Sequence, residues 1–475
     1  MSNWPIFVAG AWVDSATPLE VRAPYDDALV GTTWLGQAPD LDRASDAAVA
    51  AAPAIAAMPA YERAALLRRV SDTLRERREP LAAVLAAEAG KPLRDAGAEV
   101  DRASLTFSVA ADESQRMMGE VLPLDLAPAG ARRFALTRRF PIGAIAGISP
   151  FNFPLNLVAH KLAPAIAAGN SIVLKPATRT PLSALALARI IDEAGLPKGA
   201  LSVVPLARDV GDRLVTDSRF KLLTFTGSPA VGWAMKSRAG NKRVVLELGG
   251  NAGVIVDRDA NVEAVVKRLV AGGFAYAGQS CISVQRIYVH DALYERLSAQ
   301  LVAAVEQLRV GDPLDPATDV GPLIDGGEAD RIAAWIQEAV VAGARVLTGG
   351  QRIGRACYAP TVLADVPAAA KVCAEEAFGP LVGVYRYSEF PEAIDAINRS
   401  RFGLQAGVFT NTLSHALQAF ERLDVGGVIL NDVPAYRMDH MPYGGVKDSG
   451  LGREGPRYAI EEMTELKLLV VNQDS

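Results

Sequence analysis

The chain has 475 residues, 50% of them hydrophobic and 22% charged, enough apolar mass for two to three packed domains and inconsistent with a disordered, collagen-like or coiled-coil chain. Its 49 basic and 54 acidic residues leave a net charge of −5, so no basic footprint points to nucleic acid as a partner. Three cysteines (Cys281, Cys357, Cys373) cannot build a disulfide framework and no CxxC pair suggests a metal; Met1 to Val13 lacks the basic-then-apolar order of a signal peptide, so the chain reads as soluble and cytoplasmic.

Residues 4–14 alternate around Ala9-Gly10 and predict a β-hairpin. From Asp40 to about Met118 the pattern is helical, with a stop at Gly90-Lys91-Pro92. Residues 121–140 alternate around an Ala-Pro-Ala-Gly turn and predict a long, arginine-bearing hairpin, either a connection or an arm that pairs with another subunit. From Ile142 strands and helices alternate: strands at 144–148, 171–174, 201–204, 221–225 and 243–246, with helices at 155–168 and 181–194 ended by Gly169 and Gly195. A second series follows Gly250, with strands at 253–256, 284–289, 381–387, 405–410 and 427–430 and helices at 261–274 and 291–308. Residues 465–471 predict one late strand. Short apolar strands separated by helices imply parallel sheets covered on both faces, with ligands at the carboxyl ends of the strands.

Two charge-free runs, 140–160 and 269–285, are long enough to raise a membrane span. The first holds Pro141, Pro150, Pro154, Asn152 and Asn156, and the second Gly272, Gly273, Gly278, Gln279 and Ser280. Such residues would leave polar groups unsatisfied in lipid, so both runs read as buried irregular backbone of the kind that lines a site.

Chemistry-bearing residues cluster at these strand ends. Cys281, in Gly278-Gln-Ser-Cys-Ile-Ser283, is a nucleophile if its thiolate is stabilised, and otherwise a small buried hydrophobe. Glu247 closes an apolar strand ahead of Leu248-Gly-Gly-Asn251, a costly place for an acid without a partner or a role. Phe225-Thr-Gly-Ser228 opens a helix, where free N–H groups suit a phosphate. Neither a Gly-x-Gly-x-x-Gly nor a Walker loop is present. Asn152 is either a backbone hydrogen-bonder or an oxyanion donor, and Lys175 meets a ribose, a phosphate or solvent.

In order, the segments PFNFP, KPATRTP, FTGSPAVG, LELGGN, GQSCIS, EEAFGP and MPYGGVKDSGLGRE resemble the aldehyde dehydrogenase superfamily over essentially the whole chain. The resemblance implies an α/β fold of two doubly wound domains plus a bridging hairpin for oligomerisation. The NAD(P)-binding domain would take residues 1–118 and 139–249, the catalytic domain 250–450, and the oligomerisation segments 119–138 and 451–475, giving a homodimer or homotetramer. It implies that Cys281 attacks the aldehyde, that Asn152 with the Cys281 backbone N–H holds the oxyanion, and that Glu247 is the general base, activating either Cys281 or the water that hydrolyses the thioester to an acid. NAD or NADP would be held by Ile148, Ser149, Pro150, Phe151, Lys175, Thr178, Arg179, Gly227, Ser228, Val231, Leu248, Glu376 and Phe378. Thr178 stands where NAD-preferring members often carry an acid, so NADP is expected to be at least tolerated. Leu206 replaces a common glycine, which alters the adenine cavity locally.

GQSCISVQR and AYRMDHMPYGGVKDSGLGREG are most similar to the branch acting on lactaldehyde-like and phosphonate- or sulfonate-bearing aldehydes. Arg102, His160, Arg437 and His440 would then anchor a small anionic aldehyde; the alternative is that Arg102 and Arg437 pair with acids and His160 packs. Arg286 is expected to be structural. Competing functions are a coenzyme A-acylating member, which would generally lack the Glu247 base, a cysteine hydrolase, for which no histidine motif is present, and a catalytically idle member, which need not keep Cys281, Glu247 and Asn152 together.

Overall fold

Runs such as Ile145-Ala-Gly-Ile148 and Leu222-Leu-Thr-Phe-Thr226 have no polar face, so they need cover on both sides. In the computed structural model, which describes residues 3–473, they form the centre of an eight-stranded sheet. Its order is Ala11–Val13, Ile6–Val8, Leu201–Val203, Ile172–Lys175, Ile145–Ile148, Leu222–Thr226, Arg243–Glu247 and Gly450–Leu451. The run from Leu201–Val203 to Arg243–Glu247 is parallel throughout. Chain order reverses between Ile145–Ile148 and Leu222–Thr226, and this reversal opens a crevice beyond their carboxyl ends.

A second, seven-stranded sheet runs Arg345–Thr348, Thr361–Ala364, Leu381–Tyr387, Val284–His290, Ala252–Val256, Gln405–Phe409 and Gly427–Leu430. All its pairings are parallel except that of the edge strand Arg345–Thr348. Each large sheet has its own apolar core, one centred on Leu162, Ile166, Ile172 and Leu174 and the other on Val254, Ile287, Val382 and Val384. The fold is therefore two wound α/β units with a separate three-stranded sheet of Val121–Pro123, Arg133–Pro141 and Thr464–Asn472.

The helical region predicted from Asp40 is four helices, Ala38–Ala57, Ala60–Glu76, Arg78–Ala89 and Leu93–Ser114, the third ended by Gly90 at φ +68°. The predicted arm is shorter than its alternation suggests. Only Val121–Pro123 pairs on one side of Arg133–Pro141, because Pro123 and Pro128 lack the N–H a longer ladder needs. Thr464–Asn472 pairs along the other side for its full length. The rest of the tail returns to the first unit: Gly450–Leu451 extends its sheet, and the helix Pro456–Glu462 packs on Asn156–Ala168 and Leu93–Ser114. The hairpin Thr17–Arg22 with Leu29–Leu35 had no sequence signal, since its outer strand is mostly exposed. Among the described residues no helix is long and apolar enough to cross a membrane. The charge-free run at 140–160 contributes instead a helix, Asn156–Ala168, whose residues are all buried.

Candidate active site

The two units meet over a cavity of about 830 Å³ that reaches from the crevice of the first sheet to the loop carrying Cys281. The loop's shape is set by three successive left-handed residues, Tyr276 (φ 49°), Ala277 (φ 53°) and Gly278 (φ 70°). A side chain at Gly278 would collide with the carbonyl oxygen of Gly379, so a glycine is needed there on two counts. The non-glycine pair stores strain beside the reactive residue, and the fold holds it there by burying Tyr276 and bonding its Oη to Ala89 O at 2.9 Å.

Cys281 is half-buried and lies 3.0 Å, Sγ to Oη, from Tyr443. Burial pushes its thiol up to about 12, an effect the bond from Tyr443 opposes, so the resting group is a thiol. Asn152, 5% exposed, donates from Nδ2 to Gln279 O at 3.0 Å, which fixes its amide beside the cysteine loop. Gln279 is itself tied down, accepting from Ile324 N at 2.8 Å and donating to Pro322 O at 3.3 Å.

Glu247 ends its strand on the cavity wall, and among the described residues neither carboxylate oxygen has a hydrogen-bond partner. Burial, then the neighbouring Glu454, holds its pKa well above the usual carboxylate range. The glycines that follow are sterically required: a Cβ on Gly250 would strike Cys281 O, and one on Gly249 the Glu376 carboxylate. Gly250 N donates to Glu376 Oε1 at 2.9 Å, while burial raises Glu376 to about 7.

Nearer the first sheet, Ile148, Ser149, Pro150, Phe151, Lys175, Thr178, Arg179, Gly227, Ser228 and Leu248 all line the cavity, with Glu376 and Phe378 facing them. Val231 does not; it packs against the apolar core of Phe225 and Leu248. Among the described residues Ser149 Oγ is buried without a partner, and Lys175 Nζ donates to Pro176 O at 3.4 Å with no carboxylate paired to it. Burial lowers Lys175 to about 8. Gly211 leaves the room its stem needs, and Leu206 is wholly buried in the core behind it. An unsatisfied hydroxyl, an uncompensated ammonium and a helix N-terminus at Ser228, in the crevice of a doubly wound sheet, fit a nicotinamide dinucleotide. Arg179 turns toward the second unit, bonding Asp325 at 3.0 Å.

The residues expected to anchor substrate divide. Arg102 and Arg437 line the cavity. Arg102 grips Asp439 through two bonds of 3.0 and 2.8 Å. Arg437, its side chain 5% exposed, bonds Glu454 Oε2 at 3.2 Å. His160 is buried behind the wall, 2.8 Å from Asp439 and 3.1 Å from Arg437, and burial, then Arg437, lowers its pKa, keeping it neutral at pH 7. His440 is exposed and outside the lining. Both arginines are thus paired with acids, as the bland alternative held, yet both also face the cavity.

Sequence reading missed several residues here: Tyr443, Glu454, Asp439, Lys161, Lys91 and Glu99. Lys161 Nζ lies 3.6 Å from Glu454 and donates to Thr224 and Thr226 at 3.0 and 2.7 Å. Lys91 pairs with Glu99 and sits 3.8 Å from the centre of the Phe153 ring. Glu99 also caps the buried helix, accepting from Leu155 N and Asn156 N at 2.9 and 3.0 Å. A lysine inside an otherwise apolar run, as at Ala159-His-Lys-Leu162, was the available signal, because an unpaired charge is not buried without cause. Arg286 is structural, donating to Asn251 O at 2.9 Å and Ala396 O at 3.1 Å. Cys357 and Cys373 are buried away from the site.

A cysteine, an amide donor and a buried carboxylate at one end of a crevice suited to a dinucleotide are an arrangement that fits oxidoreductase chemistry at sulfur. Residues 12–469 match the aldehyde dehydrogenase family, and the chain belongs to it. It is 45% identical to a 3-sulfolactaldehyde dehydrogenase of Priestia aryabhattai, over 99% of this chain and 98% of that one. A lactaldehyde dehydrogenase of Methanocaldococcus jannaschii is 38% identical over 98% of this chain and 100% of its own length. Among solved structures, aldehyde dehydrogenase 21 of Physcomitrella patens, in complex with its reaction product succinate, superposes with a TM-score of 0.98 at 49% identity, covering 99% and 98% of the two chains. The chain is an NAD(P)-dependent aldehyde dehydrogenase.

Proposed function

We propose that this enzyme oxidises a small anionic or 2-hydroxy aldehyde to its carboxylic acid by direct hydrolysis, without coenzyme A. The carrying observation is that Cys281, Asn152 and Glu247 line one cavity together with Arg102 and Arg437. Cys281 Sγ adds to the aldehyde carbon, and the Asn152 amide, prealigned by Gln279, stabilises the alkoxide. Lys175, Ser228 and Glu376 would hold the cofactor, and when bound its nicotinamide supplies the hydride acceptor. Glu247 takes the proton of the water that attacks the resulting Cys281 thioester; burial and the neighbouring Glu454 hold its carboxyl above the usual carboxylate range, which makes it a stronger base than a free carboxylate. Water's oxygen becomes part of the acid, and the cysteine sulfur leaves.

An anionic substrate is supported by Arg102 and Arg437, two permanently charged guanidinium groups on the cavity wall. The named activities of the Priestia enzyme, on a sulfonated aldehyde, and of the Methanocaldococcus enzyme, on a 2-hydroxy aldehyde, support the same class. NADP is at least tolerated, since Thr178 brings no charge to repel a 2′-phosphate. We assign the enzyme to the cytoplasm on its three free cysteines, and to a homodimer or homotetramer on the edge strand Thr464–Asn472, where Leu466, Leu468 and Leu469 are more than half exposed.

The test is reduced-nicotinamide absorbance with NAD and NADP run separately. The aldehydes are lactaldehyde, succinic semialdehyde, glyceraldehyde 3-phosphate, phosphonoacetaldehyde and sulfolactaldehyde, with Cys281→Ala as control. Turnover without coenzyme A, strongest on an anionic or 2-hydroxy aldehyde and lost in the control, is expected. Best turnover on an apolar aldehyde overturns the substrate class, and a requirement for coenzyme A overturns the hydrolytic route.

A further inference from the structure

Cys281 rests as a thiol and must lose its proton to become the nucleophile. The charged and titratable groups facing it are Glu247 at the end of its strand, Glu376 across the cavity, Arg437 and Tyr443. Two of these are carboxylates, whose negative charge opposes a thiolate. The helix-dipole device that activates many cysteines is missing, because Cys281 follows a single kinked turn, Ala275–Gly278, and precedes a strand. What the thiol does have is a directed partner. Tyr443 Oη stands 3.0 Å from Sγ, in a side chain 3% exposed.

That phenol is held with care. Tyr443 N donates to Glu454 O at 3.0 Å and Glu454 N returns a bond of 2.6 Å to Tyr443 O, so the two backbones are clamped together. Above the ring lies the Arg437 guanidinium, 3.6 Å from the ring centre. Arg437 is anchored there by donating from Nη2 to Glu454 Oε2 at 3.2 Å. A cation over the face of a phenol withdraws density from it and makes its O–H a stronger donor. Phenylalanine would fill the same space, so packing alone does not explain the hydroxyl.

We propose that Tyr443 is a further catalytic residue, whose phenolic O–H donates to the Cys281 thiolate and stabilises it, and that Arg437 is a positioning residue acting on the nucleophile through the Tyr443 ring. The phenol keeps its proton whether Cys281 is thiol or thiolate; only the acceptor at sulfur changes. The inference rests on Cys281 being the nucleophile. It also gives Arg437 a function in the enzyme before any aldehyde arrives.

The test reads the cysteine directly. The rate of iodoacetamide alkylation at Cys281 is followed against pH in the substrate-free enzyme, by mass spectrometry of the peptide carrying it; Cys357 and Cys373, 4% and 8% exposed, serve as internal controls. A neutral donor to an ionised acceptor moves such a group by roughly 1 pH unit or more. Tyr443→Phe is therefore expected to shift the midpoint upward by about that much and to slow alkylation roughly tenfold at a fixed pH below it. Replacing Tyr443 with 3-fluorotyrosine, a stronger donor, should shift the midpoint downward. Arg437→Lys keeps the charge but loses the flat stacking; it should shift the midpoint upward by less, and produce no further shift on the Tyr443→Phe background. Unchanged profiles in Tyr443→Phe and the fluorotyrosine protein, with only KM for aldehyde altered, overturn the proposal and make Tyr443 a substrate contact. Loss of aldehyde oxidation in Cys281→Ala is a separate experiment, so a failure of the nucleophile assignment is told apart from a failure of Tyr443's.

Discussion

Glu454→Gln offers a sharp check on the electrostatics around the general base. Glu454 is 3% exposed, accepts from Arg437 Nη2 at 3.2 Å and lies 3.6 Å from Lys161 Nζ, so one negative charge is set between two positive ones. Beside it, burial first and Glu454 second raise the pKa of Glu247. The substitution removes a negative charge that raises Glu247 and at the same time uncovers Arg437 and Lys161, which lower it. Both changes favour the ionised base. A nearby like charge moves a carboxyl by about 1–3 units, and partial neutralisation by the two cations places the expected fall near the lower end, ~1 unit. A base works only once deprotonated, so activity rises as pH climbs through its pKa, and the rising limb should move to lower pH. One unit below the wild-type midpoint the ionised fraction would go from about a tenth to about a half, a roughly fivefold faster hydrolysis. The assay is release of nitrophenolate from p-nitrophenyl acetate, in which Cys281 is acylated without cofactor and the slow phase reports hydrolysis of the thioester. Gln still offers an oxygen to Arg437 and Lys161 but leaves both buried cations without this counter-charge, so a stability cost of about 3–5 kcal/mol is expected. A midpoint that stays in place or moves upward refutes the reasoning and removes Glu454 as a determinant of the base.

Three further outcomes follow from the geometry. Asn152→Ala should lower kcat by roughly 100- to 1000-fold with the thermal midpoint little changed, because the lost amide serves the alkoxide more than the fold; a near-normal kcat would exclude it as an oxyanion donor. Glu99→Gln breaks the buried pair with Lys91 and weakens the cap on Asn156–Ala168, so denaturant titration should show a loss of about 3–5 kcal/mol, and a loss under 1 kcal/mol would contradict the pairing. Thr178→Glu should raise the KM for NADP at least tenfold while leaving that for NAD nearly unchanged; equal effects on both would show that position 178 does not face the 2′ group.

Local sequence was sufficient where one physical demand dominated. The strands 381–387 and 427–430 have the bounds the sequence predicts, since short β-branched and apolar runs between polar segments favour a strand whether it is buried, as 381–384 is, or a half-exposed edge, as 427–430 is. Gly169 ended its helix at φ +83°, a conformation that glycine adopts without penalty. Placement at the end of an apolar strand or on a glycine-rich loop marked Cys281, Asn152 and Glu247 as candidates while leaving each a structural alternative, and only the ordered family segments implied their roles. Sequence failed where exposure blurred alternation, as at Thr17–Arg22, and where prolines cut a ladder short, as at Val121–Pro123.

Tertiary structure alone decided the partners of the charges. Arg102 lies 337 positions from Asp439, His160 lies 279 from the same acid, and Cys281 lies 162 from Tyr443, separations at which no local pattern carries information. From sequence Arg102, His160, Arg437 and His440 formed one group of cations. Folding split them, giving Arg102 and Arg437 acidic partners on the cavity wall, burying His160 in its neutral form and leaving His440 in solvent. What a residue can do is fixed by its chemistry and is written in the chain; whether it is charged, paired or within reach of the nucleophile depends on the dielectric and the neighbours it meets, and those exist only once the two units have closed on each other.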